Sequence, residues 1–112
     1  MLASGKVLKV NIYVSDGAKH HGVPLYSSIV DRLYKAGIAG ATVVKGITGF
    51  GYRHRMHSAA LLELSDYLPI VISFFDTKEK VDAVMPDLQQ CVTSGLIEIQ
   101  ESTIWVPARP AH

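Results

Sequence analysis

Leu68-Pro-Ile-Val-Ile-Ser-Phe-Phe-Asp76 constrains this chain more than any other stretch. From Pro69 to Phe75 it is β-branched and aromatic, the composition of a strand, and proline is tolerated at a strand's first position. Simple alternation is missing. Ile70, Ile72 and Phe74 fall on one face, Val71 and Phe75 on the other, so both faces call for burial. The chain must therefore build a sheet with helices on one side and some other cover on the opposite side.

The remaining segments supply that sheet. Leu8, Val10, Ile12 and Val14 alternate with Lys9, Asn11 and Tyr13, a period of two that predicts a first strand over Val7 to Val14. Ser15-Asp-Gly is turn chemistry, and the loop continues through His20, His21 and Gly22. Pro24 suits the first turn of a helix whose apolar stripe is Leu25, Ile29 and Leu33, flanked by Tyr26, Val30 and Tyr34. Gly37 is placed to end it as a left-handed cap. Ala41 to Lys45 predicts a second strand, and Pro69 to Phe75 is the third.

Asp76 is then expected to cap a second helix, with Glu79 three residues on as in a capping box. Val81, Val84, Met85, Leu88 and Val92 keep helical spacing, and Pro86 inside the pattern predicts a kink or break. Ser94-Gly95 closes the helix and Leu96 to Ile99 opens a fourth strand. The apolar phase then moves from Ile97 and Ile99 to Ile104 and Val106, which predicts a bulge near Glu101 to Thr103. The order β-α-β-β-α-β is an α+β, ferredoxin-like plan with two helices on one face of an antiparallel sheet. The simplest cover for the second face of the third strand is the sheet of a neighbouring copy, so a homo-oligomer is expected.

With 112 residues the chain reads as one domain: a core over about 7–106, a long connection at 47–68 and a loose proline-punctuated tail at 107–112. A net charge of +1 gives no electrostatic case for nucleic acid or an acidic membrane surface. No run approaches the roughly eighteen apolar residues of a membrane span, so membrane insertion is not expected. The opening Met-Leu-Ala-Ser-Gly-Lys has no apolar core of a secretory signal, and the one cysteine, Cys91, fits a reducing cytoplasm.

The long connection draws the functional reading, because compact domains rarely carry one without a use for it. It opens with Gly46-Ile-Thr-Gly-Phe-Gly and gathers Arg53, His54, Arg55 and His57. Gly46, Gly49 and Gly51 could form a nest of backbone N–H groups facing an anion, or could serve only to allow positive φ at a strand exit. Phe50 suits stacking on a base or anchoring in a subunit interface. Arg53 and Arg55 carry the forked donors that grip planar anions. The histidines raise metal binding, with His54 and His57 three apart and His20 next to His21. Two pairs on separate loops make a poor zinc site, so no metal and no cofactor are expected. Cys91 reads as a small buried hydrophobe.

Pro24-Leu-Tyr, Gly37-Ile-Ala-Gly-Ala-Thr-Val, Gly46-Ile-Thr-Gly-Phe-Gly and Leu64-Ser-Asp-Tyr-Leu-Pro-Ile-Val-Ile together carry a likeness. From about Leu8 to Val106 the chain resembles the PII-like family of unknown function, distant relatives of the PII nitrogen-regulatory signal proteins. The resemblance implies a homotrimer of ferredoxin-like subunits with their sheets lining the centre. It also implies adenine nucleotides in the clefts between subunits and a partner-contacting loop after the second strand. By position, Gly49, Phe50 and Gly51 match the family's Gly-Phe-Gly, with Lys45 and Gly46 just before it. PII proteins have a second basic, glycine-rich loop before the fourth strand. Here that place holds Thr93-Ser94-Gly95 without Lys or Arg, which argues for a different or smaller anion than a triphosphate.

The function expected from residues and resemblance together is a cytoplasmic, non-enzymatic regulator. It would bind a small anion, foremost an adenine nucleotide, through Lys45, Gly46, Gly49, Phe50 and Gly51. It would meet a transporter or enzyme through Ile47 to Tyr67, with Arg53, His54, Arg55 and His57 as contacts. The alternatives are a metal-dependent small hydrolase using His54 or His57 as base, and a trimeric scaffold that needs no ligand.

Overall fold

Strand β1 (Gly5–Ser15) is the longest in the chain and the hub of its sheet. The structure, a computed structural model, describes residues 2–49, 57–58 and 68–108. After β1 comes a hairpin of β2 (Lys19–His20) and β3 (Val23–Pro24), then helix α1 (Leu25–Lys35). Strand β4 (Thr42–Lys45) is followed by the short pair β5 (Thr48–Gly49) and β6 (His57–Ser58). Strand β7 (Pro69–Asp76), helix α2 (Lys78–Cys91) and strand β8 (Leu96–Ile104) complete it. The main sheet has the order β4-β7-β1-β8, and its three ladders are antiparallel. With α1 and α2 this is the βαββαβ ferredoxin-like arrangement.

The core lies between the helices and one face of the two central strands. Val10, Ile12 and Val14 of β1 and Ile70, Ile72 and Phe74 of β7 are buried there. They meet Leu25, Ile29 and Leu33 of α1, the stripe read from the sequence, and Val81, Val84, Leu88 and Cys91 of α2. Burial pushes the Cys91 thiol up from its ordinary value, as suits a packing residue. Helix α1 ends where Gly37 takes φ 76°, with Ile38 N–H donating to the Leu33 carbonyl and Gly37 N–H to that of Tyr34. That double closure is the Schellman arrangement.

Three local expectations are corrected. The cap of α2 is Thr77, whose hydroxyl accepts from Lys80 N–H at 3.3 Å. Asp76 is instead 3% exposed and reaches sideways, accepting from Ala39 N–H at 2.9 Å and Thr77 N–H at 2.8 Å. Of the kink or break expected at Pro86, the break is absent, since α2 runs on to Cys91. The carbonyl that Pro86 leaves without a helical donor belongs to Asp82, an exposed residue that water can serve. Strand β8 has no bulge, because its pairing with β1 runs without a slip from Gly5↔Ile104 to Tyr13↔Leu96. Ile97 and Ile99 face the helices, and beyond them Glu101 and Thr103 on that face are exposed. Ile104 simply lies on the other face.

The second face of β7 is half-covered, not bare. Val71, Ser73 and Phe75 are intermediate in burial, and Lys9 Nζ lies 5.6 Å above the Phe75 ring. The hairpin after β1 turns through His21 and Gly22, both left-handed at φ 50° and 81°. It is pinned to α1 by His20 Nε2, 3.2 Å from an Arg32 guanidinium nitrogen, while Arg32 also pairs with Asp87 of α2. Arginine has no acceptor, so the contact requires a neutral His20 protonated on Nδ1. Burial lowers the His20 pKa, neighbouring His21 and Arg32 lower it further, and Asp87 opposes them. The folded value lies below the unfolded one, so stability from this contact is whole above the ordinary 6.5 and is lost as pH falls from there through the lower folded value. An NMR titration is expected to place His20 below 6.5; a midpoint at or above the ordinary value counts against the pinned geometry.

Candidate functional site

The two ends of the long connection meet at the tips of β4 and β7. Lys45, the last residue of β4, pairs with Ile70 across the ladder, and the next residue's amide, Gly46 N–H, donates to the Pro69 carbonyl at 2.7 Å. The turn after β1 joins them. Asp16 N–H donates to the Leu68 carbonyl at 2.8 Å, and the Asp16 carboxylate reaches Lys45 Nζ at 2.7 Å. Thus Asp16 touches Lys45 just ahead of the connection and Leu68 at its close. Beyond Gly46 the chain pairs briefly with itself, Thr48 opposite Ser58 and Gly49 opposite His57.

The glycines here answer to a proline. A Cβ on Gly46 would stand 2.7 Å from Pro69 Cγ, and one on Gly49 would stand 3.3 Å from it. Neither glycine is among those with positive φ, so close approach to the proline ring is what requires Gly46 and crowds Gly49. The Gly46 amide is already bonded to Pro69, so it is not a free donor for an anion. Lys45 is the charged side chain that the structure brings to this place from the expected anion-binding set, and it is half-exposed. Phe50, Gly51, Arg53, His54 and Arg55 lie outside the described residues. His57 is placed by its backbone alone, opposite Gly49. Among the described residues no group of three or more His, Cys, Asp and Glu is arranged to hold a metal ion. Nor is any helix among them long and apolar enough to cross a membrane.

At the opposite end of β4 lies a cleft of about 410 Å³, lined by Leu2, Ala39, Gly40, Ala41, Thr42, Ser73, Phe74 and Phe75. Its lining joins small residues of the loop after α1 to Thr42, Ser73 and the successive β7 residues Phe74 and Phe75, whose side chains lie on opposite faces of the strand. Its Ala39 wall is fixed by the bond from Ala39 N–H to buried Asp76. β4 is an edge strand, and cleft and Lys45 sit at its two ends, roughly 10 Å apart at the usual rise per residue. Nothing in the hydropathy pattern marks this cleft, because its wall depends on where the loop after α1 is tied.

A polar row on the open face of the sheet is equally hidden from the sequence. Asn11 stands opposite Ser73 on one side and Glu98 on the other. Its Oδ1 accepts from Ser73 Oγ at 2.6 Å, and its Nδ2 donates to Glu98 Oε1 at 3.0 Å. Tyr13 donates its hydroxyl to the same Glu98 oxygen at 3.0 Å. The Asn11 amide first, then the Tyr13 hydroxyl, hold the Glu98 carboxyl below its ordinary value, while Tyr13 is raised by the same bond.

Comparison with known proteins places this architecture. The DUF190 family, described as an uncharacterized ACR family, matches residues 7–104. The UPF0166 protein MJ1524 of Methanocaldococcus jannaschii is 35% identical over 105 residues, covering 93% of this chain and 94% of the relative. Among solved structures the fold matches CPII, a nitrogen regulatory PII-like protein from Thiomonas intermedia K12 bound to ADP, AMP and bicarbonate. That match has a TM-score of 0.70 and 22% identity and covers 91% of each chain. The B. subtilis GlnK–ATP complex matches with a TM-score of 0.57 and 18% identity, covering 88% of this chain and 84% of that one. The chain belongs to the DUF190 family, and its fold is that of the PII-like proteins.

Proposed function

We propose that the chain is a PII-like regulatory protein, not an enzyme, that binds a small anionic ligand at the base of its long connection and signals to a partner through it. The ligand is an adenine nucleotide, alone or with a smaller anion. The observation that carries this reading is the junction at Lys45. One cation, Lys45, stands where the connection leaves the sheet, and a cleft whose lining includes Phe74 and Phe75 opens at the far end of the same edge strand. A base held in the cleft and phosphate drawn to Lys45 would use both ends of β4. The anion-contacting set is Lys45, Gly49, Phe50 and Gly51, with the Gly46 amide spent on Pro69; Arg53, His54, Arg55 and His57 are the partner contacts.

The PII-like fold supports this reading, since CPII is described bound to ADP, AMP and bicarbonate and GlnK to ATP. A smaller anion also suits Thr93-Ser94-Gly95, where no basic side chain is available for a long phosphate chain. The half-covered open sheet supports a homotrimer with ligand clefts between subunits, since a partly apolar face of this kind suits packing against copies of itself. The regulated partner is a transporter or an enzyme, and the setting is the cytoplasm. Calorimetric titration with AMP, ADP, ATP and cyclic dinucleotides, each with and without bicarbonate, tests the ligand. Binding of at least one tighter than millimolar is expected, and heats of dilution alone for all of them would overturn the nucleotide reading.

A further inference from the structure

We propose that Asp16 is an internal counter-ion that occupies Lys45 in the free protein and is displaced by the phosphate of an incoming ligand. The inference rests on the ligand reading above and adds the regulation of that site. Asp16 Oδ2 lies 2.7 Å from Lys45 Nζ, with the two side chains 24% and 47% exposed. A partly exposed pair of this kind is weak, because water screens it and both side chains lose freedom in making it. A phosphate, carrying more charge and more acceptor oxygens than a carboxylate, can therefore take its place on the ammonium.

What makes the exchange informative to the rest of the molecule is the second contact of the same residue. The Asp16 amide donates to the Leu68 carbonyl at 2.8 Å, at the point where the connection returns to the sheet. One residue thus binds the departure point through its side chain and the return point through its backbone. Gly46 and Pro69 tie the same two ends independently at 2.7 Å, so the strands stay registered when Asp16 lets go. Ligand arrival at Lys45 is converted into release of a strap across the base of the connection. Asp16 also sits in a tight turn closed by Ala18 N–H donating to the Ser15 carbonyl at 3.1 Å. Asparagine suits such a turn as well as aspartate does, so Asp16→Asn removes the charge and keeps the local backbone.

The test titrates pyrophosphate and ADP separately into the wild-type protein, Asp16→Asn, Lys45→Met and the double variant. Asp31→Asn, which changes net charge equally at a surface pair with Lys35, is the control. Asp16→Asn is expected to bind both probes about three- to fivefold tighter, the size of a weak ion pair removed from competition. Asp31→Asn should leave affinity unchanged, and the gain should vanish in the Lys45→Met background. Equal or weaker pyrophosphate binding by Asp16→Asn, or none by either protein, overturns the proposal. Tightened pyrophosphate binding with ADP held no better than pyrophosphate leaves Asp16 in its role and sinks the adenine nucleotide reading instead. Hydrogen exchange on the wild-type protein gives a readout independent of any variant. The Asp16 amide is expected to exchange at least several-fold faster with saturating ADP, and unchanged protection at saturation overturns release of the strap.

Discussion

Replacing Gly95 by alanine is expected to destabilise the fold by about 3 kcal/mol or more, a heavy loss for the addition of one methyl group. Two independent costs meet at this position. Gly95 holds φ 127°, a conformation nearly confined to glycine. An added Cβ would also stand 2.2 Å from the carbonyl oxygen of Tyr13, a backbone atom that cannot swing aside. The clash can be relieved only by moving the start of β8 away from β1, and Tyr13 is paired with Leu96, the first residue of that strand. Urea unfolding followed by circular dichroism measures the loss. Gly40→Ala is the control, since nothing lies within 4 Å of its added methyl and its φ is ordinary. A Gly95→Ala variant as stable as Gly40→Ala would mean that the turn between α2 and β8 is built differently.

Asp76→Ala is expected to be nearly as damaging, at about 2–4 kcal/mol, because it removes two charge-assisted bonds made by a buried carboxylate and leaves two part-buried backbone donors without that acceptor. The carboxylate is 3% exposed and serves Ala39 N–H with one oxygen and Thr77 N–H with the other. Thr77→Ala deletes only the hydroxyl cap of α2 and should cost about 1 kcal/mol. The order of the two losses is the test, since Thr77→Ala equalling or exceeding Asp76→Ala would place the cap, and not the crosslink to Ala39, in control. Asp76→Asn should recover part of the loss, as one acceptor survives while the amide nitrogen opposes a backbone donor. Because Ala39 forms part of the cleft wall, its amide should also lose hydrogen-exchange protection in Asp76→Ala.

The Asp76 case shows where local reading of a sequence stops. Asp76 and Thr77 are adjacent, and each is a good cap by composition. Glu79, three residues after Asp76, imitates a capping box and favours the aspartate. The choice is settled by Ala39, which needs an acceptor and lies far away in the chain. The period-two run of β1 and the 25-29-33 stripe of α1 are legible because burial against a continuous layer imposes a regular pattern on neighbours. At β8 the rule lapses. Glu101 and Thr103 stand on the helix side beyond the reach of the core, so the pattern loses its phase and imitates a bulge where none exists.

The candidate site is legible in its position more than in its chemistry. Gly46 and Gly49 mark the right junction, yet what demands the first and crowds the second is the Pro69 ring, a residue that the sequence pattern assigns only to the start of a strand. Lys45 stands out in the sequence, whereas Asp16 reads as a turn former and nothing more. Its pairing with Lys45 follows from the order of strands in space, which places the end of β1 beside the tips of β4 and β7. Asn11 looks like a solvent-side residue by its polarity, although it is 8% exposed and bonded to both neighbouring strands.

That last arrangement bears on how the sheet's open face can be approached. Hydropathy alone would make Val71, Phe75 and Val44 a general adhesive. Glu98, fixed on the same face one strand beyond β1 by Asn11 and Tyr13 and favoured in its ionised form, makes the face discriminating. Any visitor that covers it inherits an anion to satisfy, and an indiscriminate greasy surface is turned away by the cost of stranding that charge.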